Sequence, residues 1–101
     1  MRKLNYKVVK ANREQTAFVF DNFYKTDKNK DIFIVFVAVA DEDIIGYLVI
    51  EEKIIPPPSY GVNWWIWNIY TQPELRRQGI GSALLTEVIK QAEQEKIRSE
   101  N

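Results

Sequence analysis

The segment Pro73-Glu74-Leu75-Arg76-Arg77-Gln78-Gly79-Ile80-Gly81-Ser82 sets two arginines and two glycines at the entrance of an amphipathic run. Glycines at a helix entrance leave backbone N–H groups uncovered by any Cβ. The first N–H groups of a helix have no internal partner, and the helix dipole is positive there. Such a mouth seats anions, a phosphate or pyrophosphate above all. Arg76 and Arg77 add positive charge beside it. Each such term contributes only ~0.3–2 kcal/mol, so several must converge to hold a ligand. The same glycines could merely make a tight strand-to-helix turn, and the arginines could be solvated surface charges.

Two other phosphate loops do not fit. A dinucleotide fingerprint needs a third Gly or Ala three residues after the second glycine, and Leu84 stands there. A P-loop needs Gly-Lys-Ser/Thr, which does not occur. The 101 residues contain no Cys and no His. Disulfides, thiolate nucleophiles and Cys-type zinc sites are therefore excluded, and with His go the commonest general base and metal ligand. Chemistry here must use carboxylates, Tyr, Ser/Thr, Lys or the backbone, and no metal site is expected.

The elements that position this segment follow from periodicity. Leu4 to Lys10 reads as a first strand. Asn12 followed by Gln15 has the spacing of a capping box, and a helix should follow with Ala17, Phe20 and Tyr24 on one face, widened by Val19 and Phe23. Ile32 to Ala40 is a nine-residue apolar run that suits a strand covered on both faces. Asp41-Glu42-Asp43 is an acidic turn, and Ile44 to Glu51 is the partner strand of a hairpin. Gly46 inside it marks a bulge or a close approach. Ile55 to Gly61, with three consecutive prolines, is a surface loop. Val62 to Thr71 is a long aromatic strand, ended by Pro73. Ile80, Leu84 and Val88, with Leu85, Ile89 and Ala92 alongside, predict an amphipathic helix over about 80–97 with a polar end at Glu93, Glu95, Lys96 and Arg98. The order is β-α-β-β-β-α in one domain spanning 1–101, a mixed α+β fold.

Arg76, Gly79 and Gly81 spell Arg-x-x-Gly-x-Gly, preceded by Pro73 and a strand. This resembles the acyl-CoA pyrophosphate loop of the GNAT superfamily of N-acyltransferases. Val39-Ala40, the acidic turn and Ile44-Ile45-Gly46-Tyr47 resemble that family's strand 2–strand 3 hairpin. Ile69-Tyr70-Thr71-Gln72-Pro73 resembles the end of its strand 4, and the element order matches over roughly 4–98. The resemblance implies a mainly antiparallel sheet and an acetyl-CoA cosubstrate. Backbone amides of Arg77, Gln78, Gly79, Ile80, Gly81 and Ser82, with Arg76 beside them, would hold the pyrophosphate. Backbone groups of Ile69 and Thr71 would pair with the pantetheine arm. A bulge in strand 4 would splay it from strand 5, and an amine, on a small molecule or a peptide, would attack the thioester directly. Arg77 stands where the family often has Gly.

The pattern also departs from the family. Its fold continues with strand 5, a helix and further strands, and the helix usually carries a Tyr that protonates the leaving thiolate. Here the chain is expected to lack these C-terminal elements, and neither Tyr60 nor Tyr70 lies at the matching position. The usual general base is a carboxylate on or near strand 4, which offers only Asn63 and Asn68. Glu51 and Glu52, at the end of strand 3, are the nearest candidates; they also read as a polar strand end. Without strand 5, strand 4 becomes an edge carrying Trp64, Trp65, Trp67 and Tyr70. These rings read as core and interface, and homodimerisation along that edge is expected.

Lys+Arg and Asp+Glu are both 14, and this balance argues against non-specific nucleic-acid binding. Nine apolar residues are too few for a membrane helix. The N-terminus has no apolar stretch behind its charges, so no signal peptide is read and a cytoplasmic location is expected. The alternatives to an acetyltransferase are a degenerate domain that holds CoA or dimerises without turnover, and a protein–protein module using the aromatic edge.

Overall fold

The computed structural model describes residues 4–95 and 98–100. Strand β1 is Lys7–Lys10, followed by helix α1 (Arg13–Asn22). Strands β2 (Phe33–Ala40), β3 (Asp43–Ile55) and β4 (Gly61–Thr71) come next, then helix α2 (Ile80–Gln94) and a three-residue strand β5 (Arg98–Glu100). The sheet runs β1-β2-β3-β4-β5 in chain order. Its first four strands pair antiparallel, and β5 lies parallel to β4. The fold is the expected mixed α+β architecture.

α1 starts where Asn12 caps it. The Asn12 side chain accepts the Gln15 N–H at 2.8 Å, and the Gln15 side chain accepts the Asn12 N–H at 3.0 Å. The two bonds satisfy donors that a helix start leaves free. The inner face is narrower than its spacing suggests: Val19 and Phe20 are buried, while Ala17 is exposed. The helix stops at Asn22, so Phe23 and Tyr24 pack from the turn beyond it.

The sheet buries both faces, as the uninterrupted apolar run of β2 requires. On one face Val19 and Phe20 of α1 cover Phe33, Val35, Val37, Tyr47 and Val49. On the other, Ile80, Leu84, Val88 and Ala92 of α2 cover Phe36, Ala38, Leu48, Ile50 and Trp64. The four α2 residues recur every fourth position, the stripe that gave the helix away in sequence.

The β2–β3 turn uses two left-handed residues, Asp41 at φ 51° and Glu42 at φ 70°, the conformation that matches the twist of a two-residue hairpin. β3 runs four residues past Glu51 to Ile55. Two bulges interrupt the ladders. Ala38 pairs with Gly46 but Val39 with Ile44, leaving Ile45 as an extra residue in β3. Val49 pairs with Asn68 but Ile50 with Ile66, leaving Trp67 as an extra residue in β4. Gly46 is also a close approach: a Cβ there would sit 2.8 Å from the Tyr70 carbonyl oxygen and 3.2 Å from Ile80 Cγ2.

Three expectations change. A strand does lie beyond the last helix: β5 pairs with Asn63, Trp64 and Trp65, so the β4 edge is covered at one end. Arg98 accordingly belongs to this strand and not to the end of the helix, which stops at Gln94. Lys96, also assigned to that end, lies outside the described residues. The triplet Arg98-Ser99-Glu100 has no apolar alternation, so no pattern announces it; the backbone of β4 supplies the pairing. Trp64 is not an edge residue but part of the core. Among the described residues, no helix is long and apolar enough to cross a membrane.

Candidate functional site

The site assembles where β4 ends and α2 begins. The Gln72 N–H donates to the Ile45 carbonyl at 2.9 Å, so residue 72 faces β3. Alternate residues of a strand face opposite neighbours. Tyr70 therefore faces β3 too, while Ile69 and Thr71 turn their N–H and C=O groups away from it. β5 covers β4 only at residues 63–65. From Ile66 to Thr71 no described strand pairs with that outer side. Ile69 is 40% exposed. Arg76 Nε donates to the Thr71 carbonyl at 3.2 Å, which ties the loop to the strand end.

Pro73–Leu75 makes a single 3-10 turn after β4. Arg77 follows at φ 70° and Gly79 at φ 79°, and α2 starts at Ile80. No side chain caps this helix. Its first rung is the Ala83 N–H on the Gly79 carbonyl, at 2.9 Å. The amides of Ile80, Gly81 and Ser82 precede that rung and have no intrahelical partner. A Cβ built on Gly79 or Gly81 would meet nothing within 4 Å, so the mouth opens on free space. The Ile80 side chain is buried in the core, anchoring the turn, while Arg76, Arg77, Gln78 and Ser82 are exposed. Bare amides, positive dipole and the Arg76 guanidinium thus meet beside the open edge at Ile69 and Thr71, with Arg77 next in the loop. This donor set fits a pyrophosphate.

The two carboxylates leave the strand on opposite faces. Glu52 lies on the α2 side, where Oε2 accepts the indole N–H of buried Trp64 at 3.0 Å. Glu51 lies on the α1 side, where Oε1 accepts the indole N–H of Trp67 at 2.7 Å. The β4 bulge makes that contact possible, because Trp67 is the residue it displaces. Lys28 Nζ sits 3.6 Å from the same oxygen and 4.9 Å from the centroid of the Trp67 ring. Neither carboxylate reaches the helix mouth; Glu51 is the one gathered at the bulge.

Sequence reasoning missed how aromatic rings gather on the α1 side of the sheet. Phe23, Tyr47 and Tyr70 form an aromatic cluster with centroids 5.3–5.7 Å apart. Burial pushes the Tyr47 hydroxyl above its usual pKa, with Tyr70 and then Tyr24 adding to it. The Oδ1 atoms of Asn63 and Asn68 are buried without a partner among the described residues. Period-two alternation could place Asn68 and Tyr70 on the face of Val49 and Tyr47. It could not place Trp67, because a bulge shifts the phase and leaves no mark in residue type.

Residues 5–100 match the acetyltransferase (GNAT) family, and the chain belongs to that family. No curated protein matches it. Among solved structures, it is similar to an aminoglycoside acetyltransferase from an uncultured soil metagenomic sample, in complex with trehalose. That match has 22% identity and a TM-score of 0.72, covering 93% of this chain and 74% of that one. An acetyltransferase from Vibrio fischeri matches at 17% identity and TM-score 0.73, over 91% of this chain and 90% of that one. A predicted acetyltransferase from Clostridium acetobutylicum, solved with acetyl-CoA, matches at 17% identity and TM-score 0.69, over 94% and 79%. Likeness at these identities establishes the fold.

Proposed function

We propose that this chain transfers an acetyl group from acetyl-CoA to an amine by direct attack on the thioester. The observation that carries this reading is the pair of adjoining features at the β4–α2 junction: uncapped amides at Ile80, Gly81 and Ser82, and an unpaired strand edge at Ile69 and Thr71. The amides from Arg77 to Ser82 take the pyrophosphate, with Arg76 beside it. The arm runs back along β4, pairing with Ile69 and Thr71 as an added strand would. Over the four residues from Thr71 to Trp67 that path spans roughly 13 Å, which brings the thioester to the bulge. Glu51, held there by Trp67, receives the proton of the attacking amine. Glu52 is committed to Trp64 on the opposite face and has no part in the step.

A CoA-holding domain without turnover is the second reading. It is favoured by the commitment of both carboxylates to indole N–H groups and by the lack of any acid on β4.

Acetyl-CoA titration by calorimetry tests both. Wild type is expected to bind at micromolar levels, about −8 kcal/mol. Gly81→Glu is expected to weaken binding at least about tenfold, a loss of roughly 1.4 kcal/mol or more, by placing a carboxylate where phosphate belongs. The fold has room for it, since a Cβ at Gly81 touches nothing. No heat with wild type removes both readings. Binding without thiol release, with polyamines, aminoglycosides and peptide N-termini offered as acceptors, leaves only the second.

A further inference from the structure

The loop between α1 and β2 delivers one primary amine of the chain itself to the bulge. Lys28 Nζ lies 3.6 Å from Glu51 Oε1, the sole ion pair among the described residues. The same ammonium sits over the Trp67 ring at 4.9 Å. A surface ion pair by itself means little. This one differs in its partner: the Glu51 side chain is only 12% exposed and already accepts the Trp67 N–H at 2.7 Å. The carboxylate and the indole are therefore fixed before Lys28 arrives, and they hold its nitrogen from two sides. The Lys28 side chain is 49% exposed, so it is free to leave this position. Its loop is polar, with the Thr26 hydroxyl accepting the Lys28 N–H at 3.1 Å.

We infer that Lys28 is an internal acetyl acceptor, a modification site of this chain served by its own acetyl-CoA site. The inference rests on the acetyltransferase reading above and adds the amine. The Lys28 ammonium gives one proton to Glu51, which passes it to solvent. The neutral nitrogen then attacks the thioester carbonyl carbon. A C–N bond forms, the C–S bond breaks, and the second proton lost from nitrogen goes to the departing thiolate. The products are the Lys28 acetamide, free CoA and one proton. The acetamide carries no charge, so it gives up both the ion pair and the cation–ring contact. Glu51 is then left to the indole alone, open to an external amine. Acetylation at Lys28 thus converts an occupied bulge into a vacant one.

The test uses the full chain with acetyl-CoA and no added amine, followed by peptide mass spectrometry. Lys28 is expected to acquire acetyl at least about tenfold faster than Lys25, Lys30 and Lys53, from proximity alone. Lys53 is the sharpest comparison, since it stacks on Trp65 at 4.6 Å but lies outside the Glu51 ion pair. The Lys28 rate per chain should not change on dilution, as transfer within one molecule requires. Glu51→Gln should bring Lys28 down to the rate of the other lysines while leaving acetyl-CoA affinity as in wild type. Uniform labelling of all four lysines overturns the inference, as does a Lys28 rate indifferent to Glu51→Gln. If acetyl-CoA binds and is turned over with external amines but Lys28 is not favoured, only this inference falls. If acetyl-CoA does not bind, the underlying reading falls with it.

Discussion

Gly46 and Gly81 show how differently one residue type is used. At Gly46 the missing side chain lets β4 and α2 close on the sheet: an added Cβ would press to 2.8 Å on the Tyr70 backbone oxygen. Backbone cannot yield as a flexible side chain can. Gly46→Ala is therefore expected to destabilise by about 1–3 kcal/mol, read as a lower urea midpoint. At Gly81 an added Cβ would meet nothing within 4 Å, so under the proposed function substitution should alter acetyl-CoA binding and not folding. Arg77 is a third case, a non-glycine residue held at φ 70°. Such a position costs roughly 1–2 kcal/mol for a residue with a Cβ. Tyr47 gives a pH signature. Its folded-state pKa is raised by burial first and by Tyr70 and Tyr24 next. An acid with a raised folded pKa contributes stability that is fully present below its unfolded value, about 10, and that is lost as pH rises through the folded value. Wild type should lose stability in this alkaline range, and Tyr47→Phe should flatten the loss in denaturation curves taken from neutral to alkaline pH.

The helix α2 both closes the core and presents the loop, so the two roles can be separated along its length. Leu84 is fully buried one turn beyond the mouth. Leu84→Ala is expected to cost about 2–5 kcal/mol through the cavity it leaves, measured by thermal or urea unfolding, with the glycine turn itself unaltered. Much of this element level was legible in the sequence. The capping box at Asn12 and Gln15, the doubly buried run of β2, the acidic hairpin turn and the four-residue stripe of α2 each depend on local residue types. The glycine mouth was legible for the same reason, since a bare helix start is a local property. What stayed hidden depends on register. Trp67 meets Glu51 only because β4 carries a bulge opposite Val49 and Ile50, and the Lys28 contact depends on the path of a polar loop. β5 was hidden because the triplet Arg98-Ser99-Glu100 contains no apolar residue to mark a strand in the sequence, while its backbone pairs with β4.

Across the whole molecule, the open stretch of β4 is the feature on which several expectations meet. The sequence places its large rings on an edge, as core and interface. β5 now covers one end and Trp64 is core, which leaves Trp67 at 41% and Ile69 at 40% exposure along the unpaired part. Self-association through this edge is our proposal, and it makes a specific claim: a second copy and the acetyl-CoA arm would compete for the N–H and C=O groups of Ile69 and the N–H of Thr71, whose carbonyl already accepts from Arg76. Sedimentation at rising protein concentration should show association that saturating acetyl-CoA reverses. Identical sizes with and without the ligand would remove edge pairing.

We propose that the uncapped amides of α2 and the free edge of β4 act together as one acetyl-CoA seat. Amide-resolved NMR during acetyl-CoA titration reads both at once, and with only four glycines in the chain the Gly79 and Gly81 signals are readily told apart. Gly79, Ile80, Gly81 and Ser82 are expected to shift together with Ile69 and Thr71, along a single saturation curve. A single seat is ruled out if the ligand moves signals elsewhere while those six amides stay still.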